Sequence, residues 1–553
     1  MSWFVIYWPG LRWLYSGINS EKKNSIFTQS KINMQKPQIL WADDEIDLLK
    51  PHILFLTGKG YEITPVNNGL EAVEKAAAQN FDVVFLDENM PGMTGLEALA
   101  QIKANKPSLP VVMITKSEEE HIMEDAIGAK IADYLIKPLN PNQILLSVKK
   151  LLDNKRLISE KTTMGYQQDF RNLSMAFNDR LGHEEWAEMY KKLIYWELEI
   201  DETENRSMGD VIYMQRDEAN TNFCEFIVDN YEDWLNDPKI DKPLLSHQVM
   251  KKKVFPLLKP DKPLFFILVD NLRLDQWKVI QPLVSEMFNV DEDETYYAIL
   301  PTATAYARNA IFSGMMPSEM EKFYPNLWVG DDEDEGKNMH EEEFLSRQMQ
   351  KSGVGAMKMS YNKVITAHQG KELLDRFNNM KNNSLNVVVY NFVDALSHAR
   401  TDSQMVRELA PDESAYRSLT RSWFLHSPFY ELLKKIADSG YQVVLTTDHG
   451  TVKVKNPVKI VGDKNVNSNL RYKAGKNLGF EEGKEVMVCR KPERLFLPKA
   501  NISTAYVFTR HDYFFAYPNN YNYYVNFYRD TFQHGGISLE EIIVPLITLS
   551  PKS

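Results

Sequence analysis

Six residues in the second half of the chain have the types and placement to hold metal. The apolar run PLFFILVD ends in Asp270, LNVVVYNFVD ends in Asp394, and YQVVLTTDH ends in Asp448 and His449. His398 follows Asp394 by four residues, about one helical turn, and His534 sits in a Gln-His-Gly-Gly stretch. Three aspartates and three histidines suit zinc, which takes mixed oxygen and nitrogen ligands and keeps positions open for substrate. Two such ions about 4 Å apart clamp the attacking and leaving oxygens of a phosphoryl transfer. A nucleophile is available in residues 301–314, where Thr302 and Thr304 precede a helical pattern. A hydroxyl there lies among free N–H groups that favour phosphate charge.

A second constellation lies nearer the N-terminus. Asp43-Asp44-Glu45 follow the run QILWA, Asp87 ends DVVFLD, Thr115 ends PVVMIT, and Lys137 follows DYLI. Three carboxylates at strand ends bind one hard cation such as Mg²⁺ and leave Asp87 free to attack a phosphoryl donor. The Thr115 hydroxyl and the Lys137 ammonium would reach the new phosphoryl oxygens.

Both constellations demand strands whose carboxyl ends converge. Residues 35–155 alternate short β-branched runs with helical patterns such as GLEAVEKAAAQN, which predicts a doubly wound parallel sheet with its ligands beyond the strand ends. Residues 156–260 carry amphipathic helices with Trp186, Met189, Leu193 and Trp196 on one stripe, read as the core of a helical bundle linker that relays the state of the first domain. They show no basic recognition helix for DNA, and their exit is proline-rich. Residues 261–553 read as an α/β domain on a parallel central sheet. Ahead of these, residues 1–34 are apolar and aromatic, but Pro9, Gly10 and Arg12 interrupt them well short of the roughly 20 residues that span a bilayer. They read as a leader before a start at Met34, with a membrane-surface anchor as the competing reading.

With 553 residues, 43% of them hydrophobic, the chain is too large for one core, and neither a short peptide nor a disordered tail fits. Its 64 basic and 76 acidic residues give a net charge of −12, which argues against general coating of nucleic acid. Two cysteines, Cys224 and Cys489, lie outside any C-x-x-C pattern, so thiolate metal sites are excluded and a cytoplasmic location is expected. Residues 451–476 reverse the global charge with seven cations against one acid. Lys464, Arg471 and Lys473 in this loop are candidates for tracking an oligonucleotide backbone. The aromatic run from Tyr513 to Tyr528, split by Pro518-Asn-Asn, reads as a hairpin with one row in the core and the other free to stack on bases.

Residues 35–155 resemble the receiver domain of two-component response regulators, on the strength of the Asp-Asp-Glu triplet, the D87-E-N-M-P-G run, Thr115, Tyr134 and Lys137-Pro138. The resemblance implies that Asp87 is the phosphoacceptor and that Asp43, Asp44, Asp87 and the Asn89 carbonyl hold Mg²⁺. It implies that Thr115, Tyr134 and Lys137 form the switch, and that a sensor histidine kinase is the partner.

The C-terminal domain resembles the alkaline phosphatase superfamily, most closely its PglZ-type branch, through the order Asp, Thr, Asp-x-x-x-His, Asp-His-Gly, His. That resemblance implies two zinc ions, one on Asp394, His398 and His534, the other on Asp270, Asp448, His449 and the threonine, with Thr304 favoured over Thr302. Receiver, helical linker and PglZ-type domain in this order resemble a family of response regulators associated with type IX secretion and gliding. The family implies a zinc-dependent phosphodiesterase acting on linear or cyclic oligonucleotides, homodimers on phosphorylation, and contact with a sigma factor or secretion components. A phosphomonoesterase, or a zinc-containing scaffold without catalysis, are the alternatives.

Overall fold

The computed structural model describes residues 36–116, 131–177, 180–203, 206–330, 336–462 and 467–552. The proposed leader and Lys464 lie outside them. The chain divides into two compact units, residues 1–158 and 159–553.

The first unit is a parallel sheet of five strands, β1 (Gln38–Ala42), β2 (Glu62–Val66), β3 (Val83–Asp87), β4 (Val111–Thr115) and β5 (Asp133–Ile136), in the order β2-β1-β3-β4-β5. Its central strands read as unbroken apolar runs because both faces are covered. Leu40, Ala42, Val84 and Leu86 bury on one side, and Ile39, Trp41, Val83 and Phe85 on the other. Helices start where the sequence supplies acceptors for their free N–H groups. Asn68 caps Gly69–Ala78, and Thr94 with Glu97 forms a reciprocal capping box on Gly95–Asn105. The last helix of this unit, Pro141–Ala176, runs past residue 158.

The second unit is built on a six-stranded sheet. β6 (Leu264–Val269), β7 (Phe288–Tyr297), β8 (Met359–Val364), β9 (Leu385–Tyr390), β10 (Gln442–Thr446) and the C-terminal strand Ile543–Pro551 are ordered β7, C-terminal strand, β10, β6, β9, β8. The four strands from β10 to β8 are parallel, as expected. The C-terminal strand runs antiparallel to both β10 and β7, so the sheet is mixed. The registers Thr446↔Leu268 and Val269↔Tyr390 bring the carboxyl ends of β10, β6 and β9 to one edge.

The helical stretch does not stand apart from this sheet. Trp186, Leu193, Trp196 and Phe223 belong to the same buried cluster as β6 and β9, and Trp234 and Phe223 pack on Tyr297 of β7 with ring centroids 5.7 and 6.1 Å away. Polar groups follow the apolar ones inward. Arg216, on helix Arg206–Asn236, grips Glu413 with two bonds of 2.5 and 2.7 Å and reaches Glu197 at 3.1 Å and Glu540 at 3.6 Å.

The aromatic run departs from expectation. Tyr513–Ala516 is a strand paired in parallel with Asn456–Val461, but Tyr521–Tyr528 is a helix, so no hairpin forms. A run with rings at 521, 523, 524, 527 and 528 satisfies a period of 3.6 as well as one of 2. Tyr523 stacks on Phe527, and Tyr524 on Tyr528, each pair one turn apart.

Replacing Arg216 by Met takes from buried Glu413, Glu197 and Glu540 the cation they share, leaving Glu413 and Glu197 only Arg273 and Arg417 at 3.5–4.0 Å. Urea unfolding of the full chain should show the second unit destabilised by roughly 3–5 kcal/mol; a loss below about 1 kcal/mol would mean that other groups hold these acids.

Candidate functional site

In the first unit, β1, β3, β4 and β5 end at one edge, and the residues that end or follow them meet there. Asp43 and Asp87 are buried, and Lys137 Nζ bridges them at 2.8 and 2.9 Å. Asp44 joins them, with one oxygen of each of the three acids within 4.8 Å of the others. Burial pushes the Asp87 carboxyl above its ordinary value, and the neighbouring Asp43 and Asp44 charges add to this against the pull of Lys137. Burial alone would lower Lys137, but its bonds to the two acids win and its pKa is raised. Thr115 is buried at the end of β4, Tyr134 is half-buried on β5, and Asn89 is exposed two residues past Asp87. The three grouped acids, Asp43, Asp44 and Asp87, offer oxygen donors, which fit a hard cation such as Mg²⁺.

The second unit gathers its six predicted ligands in two groups. Asp270, Asp448 and His449 form one, and Asp394, His398 and His534 the other, each with donor atoms within 4.8 Å of one another. Asp270 and Asp448 follow β6 and β10, and Asp394 and His398 share helix Phe392–Asp402 beyond β9. The two groups adjoin. The His449 and His534 rings stack at 4.3 Å, and Asn271 donates its backbone N–H to Asp448 Oδ1 at 3.2 Å and its amide to Asp394 Oδ1 at 3.4 Å. Asn271 sits in the left-handed region at φ 65°, a conformation that Asn adopts more readily than most residues.

Each buried imidazole is oriented by a carbonyl. His449 Nδ1 lies 3.0 Å from Gly450 O and His534 Nδ1 3.2 Å from Thr302 O. A carbonyl only accepts, so Nδ1 carries the proton and Nε2 presents a lone pair. Burial works against charge on the donors it encloses: it raises Asp394 and Asp448, raises Asp270 to about 6 against Arg308, lowers His449, and lowers His534 to about 3. Asp448 Oδ2 is buried and accepts no hydrogen bond. Buried carboxylates and neutral imidazoles facing common points, one with an unused oxygen, fit zinc.

The two threonines separate. Thr302 is locked away, with its hydroxyl donating to Gly536 O at 2.8 Å and accepting from Gly535 N at 3.1 Å. Thr304 opens helix Thr304–Ser313, its Oγ1 3.0 Å from His449 Nε2 and 3.5 Å from Asp270 Oδ1. One turn later Arg308 donates to Asp270 Oδ2 at 2.8 Å and to Glu341 Oε1 at 2.5 Å. Arg308, Asn271 and Glu341 did not emerge from the sequence, although the four-residue step from Thr304 to Arg308 on one helix face was readable. Gly450 is fixed by contact, since a Cβ there would lie 1.9 Å from Glu540 O. Glu540 is itself held by the linker, accepting from Asn220 at 2.8 Å.

The basic loop is corrected. Arg471 and Lys473 are buried and face no substrate: Arg471 pairs with Glu541 at 2.6 Å, and Lys473 donates to Asn467 O at 2.7 Å and lies over the Tyr517 ring. A run of charge shows no partner seventy residues away.

Thr302→Val removes two buried hydrogen bonds and should cost roughly 1–3 kcal/mol in denaturant unfolding. Thr304→Val, measured alongside, should stay within about 1 kcal/mol of wild type; the reverse ranking would contradict the placement of the two hydroxyls.

Three family models match the chain: the BREX system PglZ alkaline phosphatase-like domain over residues 249–549, more than half of the chain, the PorX response regulator linker domain over 156–235, and the response regulator receiver domain over 39–149. Among curated relatives, the transcriptional regulatory protein ZraR of Klebsiella oxytoca is 37% identical over 108 residues, 20% of this chain and 24% of that protein. The chemotaxis protein CheY of Listeria monocytogenes is 40% identical over 88 residues, 16% of this chain and 74% of that one. The chain thus spans about a quarter of the length of the first of these. A solved CheY-like receiver from Methanospirillum hungatei is 26% identical, covering 21% of this chain and 94% of its own, with a TM-score of 0.21. The chain belongs to the PglZ family of alkaline phosphatase-like domains, carried here in a response regulator of PorX-like architecture.

Proposed function

We propose that the second unit is a zinc-dependent phosphodiesterase for linear or cyclic oligonucleotides, with Thr304 as nucleophile, under the control of phosphorylation at Asp87. The observation that carries this reading is Thr304 Oγ1 at the start of a helix, 3.0 Å from His449 Nε2 and beside two adjoining Asp/His groups. Asp270, Asp448 and His449 would hold one zinc together with Thr304, and Asp394, His398 and His534 the other. When bound, the two ions would lower the pKa of the Thr304 hydroxyl and offset the charge that develops on the leaving oxygen.

Thr304 Oγ1, its proton lost to solvent, attacks phosphorus, and the P–O bond to the departing sugar oxygen breaks in line. The departing oxygen takes up a proton from solvent. Water then attacks the phosphothreonine and regenerates the hydroxyl. Helix Thr304–Ser313 turns its free N–H groups towards the phosphoryl oxygens. Arg308 keeps Asp270 ionised and aimed, and Asn271 fixes the separation of the two ligand groups.

In the receiver, Asp87 would take a phosphoryl group from a sensor histidine kinase, with Mg²⁺ on Asp43, Asp44, Asp87 and the Asn89 carbonyl. Lys137 stands ready to bond the added oxygens, and Thr115 and Tyr134 would report the change by dimerisation. The match of the linker to PorX supports a role in type IX secretion and gliding, with a sigma factor or secretion components as partners. No described helix is long and apolar enough to cross a membrane.

Hydrolysis of bis(4-nitrophenyl) phosphate should be lost on chelation, return with Zn²⁺, and fall at least about a thousandfold in Thr304→Val. Faster hydrolysis of 4-nitrophenyl phosphate than of the diester would make the enzyme a monoesterase, and an inactive zinc-loaded wild type would leave a scaffold. With beryllofluoride, wild type should double its mass in light scattering while Asp87→Ala stays monomeric; equal dimerisation of both would refute the switch.

A further inference from the structure

The helix Tyr521–Tyr528 buries Val525 fully, packs Tyr521 and Tyr528 part-buried beside it, leaves Phe527 half-buried, and shows the Tyr523 and Tyr524 rings to solvent. Tyr523 is 65% exposed and Tyr524 38%. Tyr523 and Phe527 lie nearly parallel, at 14° with centroids 6.1 Å apart. Parallel rings on one helix face form a platform, and cations attend it. The Arg407 guanidinium lies 5.3 Å from the Phe527 centroid, and Lys459 Nζ 5.0 Å from that of Tyr521. Arg407 Nε is buried and donates no hydrogen bond.

This platform is tied to the ligand-bearing helix. Arg407 Nη2 donates to Thr401 O at 2.6 Å, Thr401 Oγ1 donates to Ser397 O at 3.2 Å, and Ser397 Oγ accepts from Asn271 at 3.2 Å. Thr401 stands seven residues beyond Asp394, about 10 Å along the helix. His398, between them, has a side chain 64% exposed and so opens the metal-ligand groups to solvent. From the other end of the chain, helix Tyr521–Tyr528 leads within six residues to His534. Solvent-facing aromatic rings attended by cations, next to a site for phosphoryl chemistry, are what a single-stranded polynucleotide requires: a π-face for its bases and positive charge for its backbone.

We propose that Tyr523 and Phe527, with Arg407 against them, are a base-stacking subsite for the single-stranded flank of the substrate beyond the scissile phosphate. The proposal rests on reading the second unit as an oligonucleotide phosphodiesterase. It assigns length preference to this helix rather than to the buried cations of residues 471–473.

The test uses zinc-loaded full-length protein with three probes: ten-residue oligothymidylate, the dinucleotide TpT, and bis(4-nitrophenyl) phosphate. Wild type should show a higher kcat/KM on the decamer than on TpT. In Tyr523→Ala, and more so in Tyr523→Ala/Phe527→Ala, the ratio of decamer to aryl diester kcat/KM should fall about tenfold, mainly through KM. Tyr523→Phe, which keeps the ring, should keep the ratio. A ratio unchanged in both alanine variants overturns the subsite, as does an equal loss on all three probes. A wild type that cleaves the aryl diester but neither oligonucleotide also removes the subsite, while leaving the diesterase standing. A wild type that cleaves no diester removes the underlying reading instead.

Discussion

Carboxylates taken out of water beside one another must meet positive charge, and most of this structure is arranged around that requirement. In the receiver one ammonium, that of Lys137, spans Asp43 and Asp87. In the larger unit Arg308 holds Asp270 and Glu341, Arg471 holds Glu541, and Arg273 and Arg417 converge on Asp275. These guanidiniums are planar and always charged, which suits them to bind fixed acids in the interior. In the larger unit burial still raises Asp270, Asp394 and Asp448, at or just beyond the strand ends where the two Asp/His groups lie.

The linker takes part in the same arrangement. Its Arg216 and Asn220 meet Glu413 and Glu540, and the Glu540 carbonyl presses on Gly450 beside His449. Arg273, three residues after Asp270, lies 3.6 Å from that same Glu413. The two loops that carry one ligand group are thus backed by side chains from a segment that the sequence presents only as amphipathic helix. Linker and PglZ-type domain form one packed body, joined by polar contacts as well as apolar ones.

Much of this was legible because strand ends are legible. An apolar run that stops at an acid marks both the strand and the edge at which its acid emerges, and two such runs in the first domain and three in the second located Asp43, Asp87, Asp270, Asp394 and Asp448. The parallel order of β10, β6, β9 and β8 followed from the same runs. What failed was whatever depended on a distant partner. Arg471 looked like a surface residue because Glu541 Oε2, seventy residues on, is brought to it only by the fold, and Lys473 because a bond to the carbonyl of Asn467 in the same loop leaves no mark in residue type. The helix at Tyr521 looked like a strand because its rings satisfy either period; Thr304 was favoured over Thr302 by resemblance alone, and the bond from Thr302 to Gly536 is the physical difference between them. Asn271 was invisible, its role lying in a left-handed turn that joins two groups more than a hundred residues apart.

The antiparallel strand Ile543–Pro551 lies inside the sheet, between β7 and β10. Just before it come His534, the Glu540 carbonyl against Gly450, and the Glu541 carboxylate of Arg471. During synthesis the receiver emerges first and can fold while the ribosome is still translating. The larger sheet is complete only once Ile543–Pro551 leaves the exit tunnel, and a chain broken off before it leaves β7 without a partner and β10 with one open edge. Interrupted translation therefore yields a whole receiver sheet beside a larger sheet still open on one side.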